Sequence, residues 1–154
     1  MARHYESWAS SAASRNVMRG NRRRDTLPEL AVRRLVHGAG LRYRVDSRPV
    51  GVLNRRADLV FTRAKVAVFI DGCFWHGCPQ HGTASKSNAE YWATKIAGNI
   101  QRDLATDRLL VEAGWLVIRA WEHDDPQLVA TGIVEAVLAR SPRTGRLGSA
   151  REGL

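Results

Sequence analysis

Apolar and polar residues recur with two different periods along this chain, and the switches between them mark its elements. After Thr26-Leu-Pro-Glu29, which reads as a capping box, the run LAVRRLVHGAG spaces its apolar residues three and four apart. A helix is therefore predicted over about 27–38, with Gly38 and Gly40 as stop signals. Residues 42–45 alternate like a short strand, and a turn-rich piece with Pro49, Gly51 and Asn54 leads to two more strands, 58–62 and 65–71, joined by a tight connection. Within the second of these, Val66-Ala-Val-Phe-Ile70 is apolar at every position, as in a central strand covered on both faces. Residues 72–87 are loop-like. Asn88 is placed to cap a long helix over about 89–112, closed by Gly114; WLVIRAW predicts a fourth strand over 115–121, and Pro126 opens a last helix to about Arg140. The order αβββαβα, without an internal repeat or a second domain, describes an α/β fold: a mixed β-sheet flanked by helices.

With 154 residues, 44% of them hydrophobic, the chain can bury one core. It contains nothing like the roughly 18 apolar residues of a membrane span. The stretch MARHYESWASSAASR lacks the apolar segment of a secretory signal, so a soluble, cytoplasmic protein with no membrane partner is expected. The net charge of +9 is uneven: residues 1–24 hold six Arg and one Glu, residues 141–154 three Arg and one Glu, and residues 25–140 sum to only +2. This divides the chain into a basic arm (1–24), a central domain (25–140) and a basic tail (141–154). An arm so poor in apolar residues suits a polyanion, above all nucleic acid. A second run, from Arg42 to Arg63, has six Arg against two Asp and points the same way, although a solvated terminus that merely aids solubility would share the arm's composition.

Three constellations could carry chemistry. Asp58 and Asp71 stand at the start of one hairpin strand and the end of its neighbour, so their carboxylates could share a hard divalent cation such as Mg²⁺. Two strand-end aspartates facing solvent would show the same spacing. The two cysteines, Cys73 and Cys78, fall in a loop with His76 and His81, and His123 follows a later strand. Two thiolates with His81 and His123 would make a closed tetrahedral site for a structural Zn²⁺, leaving His76 beside Asp71 for proton transfer. Free buried thiols and a redox pair are the alternatives. Finally, Phe74-Trp75 and Tyr91-Trp92 put large aromatics where a loop and a helix start cannot easily bury them all. Trp92, Ile96, Asn99, Asp103 and Leu110 share one helical stripe, with Asn99 and Asp103 as polar groups at the rim of the buried face. A core Trp92 and a rim ion pair of Asp103 with Arg102 or Lys95 fit that stripe equally well.

VFIDGCFWHGC, NAEYWATKIAGNIQRD and GWLVIRAWEHD together resemble the very short patch repair (Vsr) endonucleases over about residues 14–140, most specifically in Gly72-Cys-Phe-Trp-His76. The resemblance implies a restriction-endonuclease-like fold, a catalytic Mg²⁺, a structural Zn²⁺, and nicking of double-stranded DNA on the 5′ side of the thymine in a T:G mismatch left by deamination of 5-methylcytosine. By position it implies Asp58 and the Ile70 carbonyl as Mg²⁺ ligands, with His76 activating water and Glu29 and Asp103 as acidic residues of the active-site region. Cys73, Cys78, His81 and His123 fall on the zinc positions. Phe74, Trp75 and Trp92 match the aromatics that wedge into the duplex, and Ser14-Arg-Asn-Val-Met-Arg19 is similar to a DNA-gripping arm, with Arg15 and Arg19 as contacts and Met18 inserted. Asp71 stands where the best-known members have histidine, and is a candidate for an added metal carboxylate; His123 stands where they have cysteine. A monomer is expected, with the repair proteins MutL and MutS as candidate partners. Two other readings share these features: a sequence-specific or modification-dependent nicking enzyme of a defence system, and a non-enzymatic zinc-stapled DNA-binding module.

Overall fold

The computed structural model describes residues 25–73, 78–79 and 88–141. Seven elements follow in the predicted order: α1 (Leu27–Gly38), β1 (Arg44–Ser47), β2 (Ala57–Phe61), β3 (Val66–Asp71), α2 (Ala89–Glu112), β4 (Leu116–Trp121) and α3 (Pro126–Arg140). They form a four-stranded sheet in the order β1-β2-β3-β4. The first two pairings are antiparallel and β3–β4 is parallel, so the sheet is mixed, with α2 as the crossover that a parallel pair needs. This is the α/β architecture of a restriction-endonuclease-like fold.

The alternation within β3 explains the layering. Val66 and Val68 face one cluster with Leu59 and Phe61 of β2, Val32 and Val36 of α1, and Ala130, Ile133 and Val137 of α3. Ala67 and Phe69 face the other, with Val60, Leu110 of α2 and Trp115. With helices on both sides, an apolar run without polar interruptions is the physical requirement, and Val66, Ala67 and Val68 are fully buried.

The helix ends depart from expectation in instructive ways. Thr26 makes no side-chain cap bond. Glu29 reaches one residue further back than a capping box would, its Oε2 accepting the N–H of Asp25 rather than of Thr26 at 2.9 Å, while Arg33 donates to the same oxygen at 3.0 Å. Asn88 is left-handed (φ 54°) and also makes no side-chain cap bond; its backbone carbonyl accepts the Trp92 N–H at 3.1 Å. Asp125 is a true cap of α3, accepting the Gln127 N–H at 2.9 Å. Gly114 closes α2 as expected. Its φ of +83° lets Trp115 N–H reach Leu110 carbonyl at 2.9 Å, which turns the chain directly into β4. The first strand starts at Arg44 rather than residue 42, and the fourth at Leu116 rather than residue 115.

Only two residues of the 24-residue α2, Thr106 and Leu110, are buried. Leu110 is thus the plug that fastens the helix to the sheet. Leu110→Ala is expected to lower unfolding free energy by about 2–5 kcal/mol, and Leu104→Ala, at an exposed position of the same helix, by less than about 0.5 kcal/mol, both read from urea denaturation midpoints.

Candidate active site and metal centre

The chemistry-bearing residues gather where β2 begins and β3 and β4 end. The β2–β3 ladder runs from Leu59↔Val68 to Phe61↔Val66. Beyond it a side chain takes over from the backbone: Asp58 Oδ2 accepts the Ile70 N–H at 2.6 Å. Burial pushes the Asp58 carboxyl up to about 7; the Ile70 N–H works against this, and the charges of Glu29 and Asp71 add to it. A carboxylate held in such surroundings, with two others within electrostatic reach, favours a proton or a cation. A divalent cation fits these residues, and the Ile70 carbonyl belongs to the peptide next to the one that Asp58 already binds.

Glu29 is buried at 4% exposure and held by Asp25 N–H and Arg33. Its role as a helix-start residue is thereby assured, and its carboxylate still bears on Asp58. Asp71 points to the α2 side of the sheet. There Arg119 Nη1 lies 3.1 and 3.0 Å from its two oxygens, and the same guanidinium donates through Nε and Nη2 to Asp107 at 2.8–3.0 Å. Asp103 Oδ1 is 3.7 Å from Nη2. Trp92, Asn99 and Asp103 line up along α2 as the periodicity predicted, each half-buried. Arg102, read from the pattern as a partner for Asp103, instead bonds Asn99 Oδ1 and the Gly98 carbonyl. Asp103 faces Arg119. Neither Arg119 nor Asp107 was picked out from the sequence. The available signal was a lone charge inside the otherwise apolar WLVIRAW, which a half-buried strand tolerates only with an acidic partner.

At the ends of β3 and β4 lie Cys73, Cys78 and His123, whose donor atoms all fall within 4.8 Å of one another. Cys73 Sγ is 3.0 Å and Cys78 Sγ 3.9 Å from His123 Nδ1. These bracket the sulfur–nitrogen separation of about 3.6 Å that tetrahedral zinc geometry requires. The Cys78 N–H bonds the Cys73 carbonyl at 3.0 Å, closing the loop that brings the sulfurs together. Burial pushes the Cys73 thiol up to about 11, with Cys78 and Glu122 adding to the effect. Two buried thiols and an imidazole are a donor set for a soft or borderline cation, whose charge would displace the thiol protons. Asp124 Oδ1 stands 3.6 Å behind His123 Nε2, on the side away from the sulfurs, where metal-ligating histidines commonly have a carboxylate. The other residues that the sequence singles out, Arg15, Met18, Arg19, Phe74, Trp75, His76 and His81, lie outside the described residues.

Comparison with known proteins decides the lineage. The sequence model for DNA mismatch endonuclease Vsr matches residues 9–81. The type II nicking enzyme V.NaeI of Lentzea aerocolonigenes is 42% identical over 135 residues, which are 86% of this chain and 81% of that protein. The chain belongs to the Vsr family. The type II nicking enzyme V.HpaIIP of Haemophilus parainfluenzae is 34% identical over 128 residues (80% of this chain, 89% of that one). DNA mismatch endonuclease Vsr of Escherichia coli is 35% identical over 108 residues (68% and 66%). This Vsr-family protein is accordingly a DNA endonuclease of the mismatch or nicking type, which sets aside a non-enzymatic binding module. Among the described residues no helix is long and apolar enough to cross a membrane.

The cysteine–histidine cluster makes a direct prediction. The metal-free protein should bind a thiophilic divalent cation at one site per chain, with affinity rising as pH increases because each thiol gives up a proton on ligation. Competition with a chromophoric chelator measures this, and Cys78→Ser should weaken binding by at least about tenfold.

Proposed function

We propose that this protein nicks the thymine-bearing strand on the 5′ side of a T:G mismatch, in a reaction that requires Mg²⁺, and so starts repair of deaminated 5-methylcytosine. The observation that carries this reading is the bond between the Asp58 carboxylate and the Ile70 N–H, which gathers a carboxylate and a strand-end peptide beside Glu29. Asp58 and the Ile70 carbonyl would hold the Mg²⁺, which when bound supplies positive charge opposite the charge developing on the phosphate. His76 takes the proton of the attacking water. Glu29 and Asp103 bound the site from α1 and α2, on opposite sides of the sheet.

Cys73, Cys78, His123 and His81 would complete a Cys₂His₂ zinc site, which fixes the loop carrying Phe74, Trp75 and His76. Phe74, Trp75 and Trp92, with Met18 from the arm, wedge into the duplex beside the mismatch. Stacking returns about 1–3 kcal/mol per aromatic, and opening a base step costs about a few kcal/mol. The balance is near zero on paired DNA, so a weakened T:G step tips it. Arg15, Arg19 and Asn99 hold the backbone, the first two from an arm that spans residues 1–24. We take the enzyme to act as a monomer in the cytoplasm, with MutL and MutS as candidate partners after the nick. A second reading, sequence-specific or modification-dependent nicking, is favoured by the relatives named type II nicking enzymes.

A panel of end-labelled duplexes, matched, methylated and T:G-mismatched, separates the two. With Mg²⁺ only the T strand of the mismatch should be cut, and Asp58→Asn should slow cutting by about a thousandfold with DNA binding retained. Equal cutting of a matched or methylated duplex would transfer the enzyme to the second reading. If the basic ends contact about six phosphates, log affinity should fall with log salt at a slope of about −5, and deletion of residues 1–24 should flatten it.

A further inference from the structure

Arg119 sits on β4 directly opposite Phe69 of β3 in the parallel register, and its guanidinium lies 4.4 Å over that ring. Stacking fixes the plane of the guanidinium, and Asp107 fixes its rotation within that plane by taking the Nε and Nη2 edge at 2.8–3.0 Å. The one direction left for Nη1 is the end of β3, where it lies nearly equidistant from the two Asp71 oxygens, at 3.1 and 3.0 Å. Asp103, one helical turn before Asp107 on α2, comes within 3.7 Å of Nη2. Burial works against the charge of Arg119, but the bonds to Asp107 and Asp71 outweigh it, and the guanidinium stays protonated.

The two strand-end aspartates therefore differ in kind. Asp58 gives one oxygen, Oδ2, to the Ile70 N–H, and among the described residues Oδ1 accepts no hydrogen bond. Asp71 has both oxygens engaged by one cation that cannot be deprotonated. A metal ion bound through Asp71 would have to displace a guanidinium held on three sides, or share a carboxylate with a neighbouring positive charge. We propose that Arg119 is a positioning residue of the nicking reaction: it keeps Asp71 as its own counter-ion, away from the catalytic metal, and sets Asp103 of α2 against the end of β3. This assigns Asp71 a role other than the metal ligand suggested by its spacing from Asp58. The inference rests on the metal-dependent reading above.

The test uses the full chain and two readouts. Mn²⁺ alone is titrated and free ion followed by electron paramagnetic resonance, and single-turnover nicking of a T:G duplex is measured in Mg²⁺. Asp71→Asn should bind Mn²⁺ within about threefold of wild type, whereas Asp58→Asn should bind at least about tenfold more weakly. Arg119→Gln should bind Mn²⁺ about threefold or more tightly, having lost a nearby positive charge, and yet nick about 10–100-fold more slowly. A residue that only stabilised the fold would not raise metal affinity while lowering rate. Arg119→Lys keeps the charge without the planar fork; it should match wild type in Mn²⁺ binding and remain slow, and it carries the rate measurement if Arg119→Gln does not fold. A tenfold loss of Mn²⁺ affinity in Asp71→Asn, or wild-type nicking by Arg119→Gln, would overturn the proposal. Wild-type protein that binds Mn²⁺ but cuts no mismatched duplex would overturn the proposed function instead, and the Mn²⁺ comparison would still decide the place of Asp71.

Discussion

The parallel pairing of β3 with β4 is the constraint on which the rest of this molecule depends. Its register holds a constant offset from Val66↔Leu116 to Asp71↔Trp121, and the chain keeps that offset for two residues beyond the strands, where Cys73 meets His123. Glu122 supports the extension twice, its backbone N–H donating to the Asp71 carbonyl at 2.9 Å and its side-chain Oε1 accepting the Cys73 N–H at 3.0 Å. The candidate metal centre is thus the continuation of a strand pair past the sheet edge. Two antiparallel strands could have been joined by a short turn, but a parallel pair needs a long crossover. That crossover is α2, which brings Asp103 and Asp107 over the sheet.

Because β3 is covered on both faces, consecutive residues at its end serve different layers. Ile70 packs toward α1 and α3 and gives its N–H to Asp58; Asp71 turns to α2 and Arg119; Cys73 leaves the sheet for the metal cluster. One short strand thus connects a carboxylate site, a guanidinium hub and a thiol site within four residues. Rigid support at this point comes from the sheet rather than from loops, since Val66, Ala67 and Val68 are fully enclosed and close packing leaves them no alternative arrangement.

Much of this was legible in the residues. The central strand announced itself through an uninterrupted apolar run, the long helix through its spacing and Gly114, and the thiol site through two cysteines and the surrounding histidines. Periodicity alone put Asn99 and Asp103 at the rim of the buried face of α2, where both are half-buried. Thr26 and Asn88 do stand at the N-cap positions, but neither makes the expected side-chain cap bond, because that bond depends on the side-chain geometry of one turn. There Glu29 and Arg33, or a left-handed backbone, provide other partners.

The sequence by itself determined the element order, the covering of β3 on both faces, and the closeness of the two cysteines to His76 and His81 along the chain, since these follow from near neighbours. Only the tertiary structure decided the pairings: Asp58 with the peptide of Ile70, Arg119 with Asp71 and Asp107, Cys73 with His123. These partners lie 12, 48, 12 and 50 residues apart. No local period encodes such separations. They are set by strand register and by the path of the crossover helix, and a carboxylate becomes a metal ligand or a counter-ion according to which cation that geometry places beside it.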